Sequence, residues 1–170
     1  MTDPTPGDRA LGDLGRRLAG ARDGLVELRP AVADGEPWPL AERFDTEPEA
    51  SWGPREVLAH VAEMLPYWLG ELERVVAVDG AAFGRAATDP LRLATIERDR
   101  TLPLPALDGR IDVGVETWLE RLADLDEDTV ARSGSHPRLG AMTVSAIMER
   151  FVVGHLEEHV AQLREIVGAR

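Results

Sequence analysis

Two histidines four residues apart, His155 and His159, stand in the closing stretch FVVGHLEEHVAQLREIV of a chain that holds only four histidines in 170 residues. On a helix, four residues make slightly more than one turn, so both imidazoles would leave the same face about 6 Å apart along the axis. Helices use that spacing to offer two nitrogens to one metal ion. An apolar stripe through Val144, Met148, Phe151 or Val152, Leu163 and Ile166 passes through both histidine positions. The pair therefore occupies seam positions, where an apolar residue would be the cheaper choice. Two other readings stay open for a His pair taken alone: a chance arrangement on a helix surface, and core histidines satisfied by hydrogen bonds.

A third imidazole lies upstream. His60, in VLAHVAEML, falls beside a second apolar stripe running through Val57, Val61, Met64 and Leu65. Two packed helices could bring His60 to the His155/His159 pair as a three-nitrogen site with open positions for water or substrate. HLEEH also matches the H-x-x-E-H pattern of inverted zinc peptidases. That pattern needs a further ligand well downstream, and only eleven residues follow His159. Glu63, Tyr67 and Glu71 follow His60 at helical spacings, and Glu63 is the candidate for a base or for a partner behind the ligand. Glu157 and Glu158 read as solvated helix charges. His136, before Pro137, reads as a turn residue, with a place at the site mouth as the alternative.

Composition narrows the chemistry further. Cysteine is absent, which removes disulfides, thiolate ligands and a cysteine nucleophile, and leaves His, Asp and Glu as the available metal donors. All 19 basic residues are arginine, which excludes a Schiff-base lysine and reads as the bias of a GC-rich genome. The formal charge of −12 argues against nucleic acid and anionic membrane surfaces as partners. No apolar run reaches membrane-spanning length and the N-terminus lacks a signal pattern, so a cytoplasmic protein with a small-molecule substrate is expected.

The elements that must position these residues read as helices. Residues 1–7 are expected to be disordered, ahead of one domain over 8–170. Leu11, Leu14, Leu18, Ala21, Leu25 and Leu28 alternate spacings of three and four, predicting a first helix that stops near Arg29 because Pro30 disfavours helix before it. A proline- and acid-rich connection follows. In SWGPREVLAHVAEM, Gly53 is placed as N-cap, Pro54 as first helical residue and Glu56 in the first turn, with Trp52 and Val57 set for a hydrophobic staple. Pro66 predicts a kink in that second helix. Residues 79–101 read as a connection with one short helical piece. Leu104, Leu107, Ile111, Val115, Trp118, Leu122 and Leu125 predict a third helix, and Thr143 caps a fourth that runs to about Val167. No strand pattern of useful length and no repeat appears. The expected fold is all-α, an antiparallel four-helix bundle with long crossover connections.

Three segments carry a family resemblance: SWGPREVLAHVAEM, the approach GSHPRLGAMTVSAIME, and the closing GHLEEHVAQLREI. Together they resemble the DinB-like (DinB/YfiT) superfamily over roughly Ala10 to Val167. The resemblance implies a four-helix bundle, commonly a homodimer, with a divalent metal on three histidines that fall here on His60, His155 and His159. Zn or Ni is the expected ion. It further implies a transferase using a low-molecular-weight thiol of the mycothiol, bacillithiol or glutathione kind against small electrophiles. A metal-assisted hydrolase and a non-catalytic metal-binding bundle are the alternatives.

Overall fold

The computed structural model describes residues 6–45 and 49–169, with no account of the side chains of Pro6, Asp8 and Ala50. Five of the seven residues expected to be disordered lie outside the described residues, whereas Pro6 and Gly7 already belong to the first helix. The long helices are α1 (Pro6–Asp34), α2 (Pro54–Ala77), α4 (Leu104–Ala123) and a final helical run over 144–168, with a shorter α3 (Pro90–Asp99) between α2 and α4. The final run has three parts: α6 (Val144–Met148), a π-helical turn (Glu149–Val153) and α7 (Gly154–Gly168). A five-residue α5 (Glu127–Ala131) closes off α4.

Packing follows the apolar stripes. Leu11, Leu14, Leu18, Ala21 and Leu25 of α1 are buried, as are Leu107, Ile111, Val115, Trp118 and Leu122 of α4. Both α1 and α2 pack on α4 and on the final helix, so α1 and α2 stand at opposite corners of the bundle. That arrangement makes the two long connections necessary: 35–53 crosses from α1 to α2, and 78–103, which carries α3, crosses from α2 to α4. The all-α bundle with long crossovers is the fold expected from the sequence, including the short helical piece within 79–101.

Two expectations need correction. The first helix does not stop at Arg29 but runs through Pro30 to Asp34. The bond lost at the proline is offset by what the extra turn gains: Val32 is buried, and the Trp38 indole donates to the Val32 carbonyl at 2.7 Å. The stretch read as a strandless link holds a small hairpin, β1 (Ser133–His136) paired antiparallel with β2 (Gly140–Thr143). Its strands are too short to show alternation. Tertiary bonds fix them instead, since Ser135 exchanges backbone hydrogen bonds with Ala81 and Phe83. Pro66 likewise lies inside a continuous α2 from Pro54 to Ala77, and its neighbour Leu65 offers its carbonyl to the Trp118 indole at 2.9 Å.

The start of α2 follows its sequence signal closely. Pro54 is the first helical residue and the Glu56 carboxylate accepts from the Gly53 N–H at 3.2 Å. Thr143 caps α6 by accepting from the Ala146 N–H.

Candidate metal centre

His60 reaches the bundle interior from α2, and His155 and His159 reach it from α7. The three rings meet with centroids 5.2 Å apart for His60 and His155, 5.1 Å for His60 and His159, and 4.6 Å for the α7 pair. His60 Nε2 and His155 Nε2 are 3.4 Å apart. His60 and His159 are buried, whereas His155 is 23 % exposed and marks the open side. The structure thus brings together the three histidines that the sequence singled out.

Each buried imidazole has a different group behind it. Gln162, one turn after His159, donates its amide Nε2 to the Glu49 carbonyl at 2.9 Å, which turns its Oε1 toward His159 Nδ1 at 3.0 Å. An amide oxygen only accepts, so His159 Nδ1 must carry the proton and Nε2 presents a bare lone pair. That Nε2 is buried and has no hydrogen-bond partner. Behind His60, Glu63 Oε2 lies 3.6 Å from Nδ1. Arg85 pairs with the other oxygen, Oε1, at 2.5 Å and lays its guanidinium over the Tyr67 ring. Trp52 meets His60 edge-on at 5.4 Å and walls the site on that side.

Three close imidazoles cannot all be charged in so dry a place. Burial, then the neighbouring imidazoles and the nearby Arg92 and Arg85, hold His60 well below the ordinary histidine range. Burial and the His155 charge bring His159 down to about 4. Both groups are depressed relative to the unfolded chain, so below about pH 6.5 the unfolded state binds more protons and stability falls as pH falls. Each group contributes a slope of up to about 1.4 kcal/mol per pH unit between its unfolded value and its folded one. The urea midpoint of metal-free protein is therefore expected to drop steadily from pH 7 toward pH 4.5. A midpoint that stays flat across that range would contradict neutral, buried imidazoles.

Glu49 is the residue beside the three imidazoles that sequence reasoning missed. It sits in a single 3₁₀ turn (Glu49–Ser51) of the first crossover, with Oε2 3.7 Å from His159 Nε2 and 3.9 Å from His155 Nε2. Burial opposes its charge. The contact with His155 and the Arg92 and His159 charges outweigh that and hold its carboxyl below the usual range. Nothing in a proline- and acid-rich connection marks one glutamate above the others, whereas Gln162 carries a usable signal in its i+3 spacing from His159.

The other candidates fall elsewhere. Glu63 stands on the Nδ1 side of His60 and lines the cavity between α2, α3 and α4. Glu71 accepts from the Gly84 N–H and pairs with Arg74, anchoring the second crossover. His136 Nδ1 accepts from the backbone N–H groups of Arg138 and Leu139, the turn role expected of it. Glu157 pairs with Arg17 of α1 at 2.6 Å. Glu158 and Glu165 rim a 350 Å³ cleft whose floor is Glu49, His155, His159 and Gln162. The larger cavities, 680 and 610 Å³, lie between α2, α3 and α4 and between α1, α2 and α4, and contain no histidine.

A four-helix bundle with diagonal first helices and a three-imidazole centre defines a recognisable class. The family model described as the DinB superfamily matches residues 10–163, nearly the whole chain, and the protein belongs to that superfamily. Among solved structures it is similar to YfiT from Bacillus subtilis, described as a probable metal-dependent hydrolase with an unusual four-helix bundle topology. The TM-score is 0.72 at 15 % identity, covering 99 % of this chain and 91 % of that one, a likeness of fold. No curated protein matches the sequence. No helix among the described residues is long and apolar enough to cross a membrane.

Proposed function

We propose that the protein is a divalent-metal-dependent hydrolase of a small molecule, with His60, His155 and His159 as ligands. One observation carries the reading: the buried, unpartnered lone pair of His159 Nε2, held in its tautomer by Gln162 and aimed at two further imidazoles. A buried nitrogen with no donor costs stability unless a cation completes it. The donor set suits Zn²⁺, Ni²⁺ or Fe²⁺, and such an ion, when bound, acidifies a water and polarises a carbonyl.

The chain's own groups supply the rest. Gln162 orients His159, as groups behind metal-ligating histidines do, and the Glu63–Arg85 pair stands behind His60 without a hydrogen bond to it. Trp52 excludes water from the closed side, and the cleft beside His155 admits the substrate. Glu158 and Glu165 at the rim, with no arginine among the described residues lining the cleft, favour neutral or cationic substrates.

The thiol-transferase reading draws on the same centre, but a mycothiol- or glutathione-type cosubstrate bearing carboxylates would have to pass those rim acids. Hydrolysis is therefore the reading the cleft favours. A homodimer, which the family resemblance implies, in the cytoplasm is the setting we propose for it. Untagged protein loaded with Zn²⁺ or Ni²⁺ is expected to cleave members of an ester and amide panel in the absence of thiol, and to stop when the metal is chelated. Products that form only with added thiol, as conjugates of it, would establish the transferase instead.

A further inference from the structure

The crossover from α1 to α2 does more than connect two corners of the bundle. Its Glu49 is held at both ends. The backbone carbonyl accepts from Gln162, the residue that also fixes His159, and Oε1 receives a short hydrogen bond from the Arg92 guanidinium. Arg92 is itself buried on α3, donates to the Ala87 carbonyl at 2.8 Å and faces the Trp52 ring at 5.4 Å. With Oε1 committed to Arg92, Oε2 is the oxygen left facing the imidazoles.

The distances distinguish what that oxygen is for. At 3.7 and 3.9 Å from two imidazole nitrogens, Oε2 is too far to accept a hydrogen bond from either. Neighbouring donors on an ion with bonds of about 2.0–2.1 Å are separated by roughly 3–3.5 Å. The 3.4 Å between His60 Nε2 and His155 Nε2 lies within that range, and the Glu49 separations lie just above it. One donor atom from each of Glu49, His60, His155 and His159 fits within a set whose members are all within 4.8 Å of one another.

We propose that Glu49 is a fourth protein donor to the divalent ion and that Arg92 is its positioning residue. The proposal rests on the reading of the three histidines as ligands. The resulting set of three nitrogens and one oxygen suits ions that take five or six ligands, with the remaining positions opening on the 350 Å³ cleft. It also ties the metal site to α3, an element that contributes no ligand, through a single guanidinium.

Co²⁺ is the probe that tests this, because its visible bands report the number and type of donors. Wild-type, E49Q, E49A, R92K and H155A proteins, full-length and untagged, are titrated with Co²⁺ and their affinities for Zn²⁺ and Ni²⁺ measured by chelator competition. E49Q and E49A are expected to bind at least ~100-fold more weakly than wild type, beyond what loss of a group behind a ligand costs, with shifted Co²⁺ bands. R92K, which keeps the charge on a point rather than a fork, is expected to shift the bands in the same direction by less. Unfolding of the metal-free variants separates loss of the ligand from loss of the fold. E49Q and E49A with wild-type affinity and spectrum, beside an H155A that has lost the ion, would overturn the role of Glu49 alone. H155A that keeps the ion, or a wild type that takes none, would overturn the histidine reading and this proposal with it.

Discussion

Alanine in place of His155 is expected to weaken metal binding by well over ~100-fold, since loss of a group merely behind a ligand already costs about 10- to 100-fold. Among the three histidines this is the cleanest position to test. His60 and His159 are buried, so their removal would open cavities and confuse loss of a ligand with loss of packing. His155 stands at the open edge, and its removal leaves the stripe of Val152, Leu156 and Val160 untouched. Elemental analysis of protein purified without a His-tag, followed by chelator competition, reads the effect. Far-ultraviolet circular dichroism is expected to stay at the wild-type level. Stoichiometric metal retained by the alanine variant would reduce the α7 pair to a coincidence of helical spacing.

The largest effect on stability is expected at Glu56. Its carboxylate is fully buried and accepts three times: from the Gly53 N–H, from the Ala41 N–H at 3.0 Å, and from Arg100 at 2.9 Å. Arg100 in turn donates to the Ala41 carbonyl and covers the Phe44 ring at 4.3 Å. One side chain thus joins the start of α2, the first crossover and the end of α3. Glu56→Ala strands a nearly buried guanidinium and two backbone N–H groups, at a cost of about 3–5 kcal/mol. Glu56→Gln, which keeps one acceptor in place, should cost less. Urea unfolding of metal-free protein measures both, and an alanine variant as stable as its parent would show that the network relaxes without it. Because the same crossover carries Glu49, the alanine variant should also hold metal less firmly.

What was legible in the sequence divides along physical lines. The bundle could be read because helix burial imposes a periodicity on the chain, and the stripes of α1 and α4 map onto buried residues almost position by position. The start of α2 could be read because Gly-Pro-x-Glu states its capping chemistry locally. The three histidines were legible for a related reason, as polar residues placed on or beside apolar seams. Glu49 and Arg92 were not, because both lie on crossovers, and a crossover's route is decided by the bundle it spans rather than by its own residues. Pro30 misled for the converse reason. The local rule against helix before proline is sound, but it was outweighed by Val32 and Trp38, contacts that only the folded chain makes.

The π-helical turn at Glu149–Val153 gives the final helix a property no single side chain supplies. Among its buried residues, 148, 152, 156 and 160 stand three successive steps of four apart. Every such step overshoots a full α-helical turn by about 40°, so three would carry the stripe roughly 120° around the helix and out of the core. The wider turn absorbs that excess, so α6 and α7 act as two gears on one shaft with a fixed phase offset between them. One anchors against α2 and the hairpin, and the other sets the direction in which two imidazoles point. A single-residue deletion within 149–153 would let the run close into regular α-helix with α6 and α7 in the same phase, whereas winding the turn as α-helix without a deletion would rotate the histidine pair by about 100° relative to α6. The turn is in effect an angular setting for the histidine pair, written into the backbone two residues ahead of it.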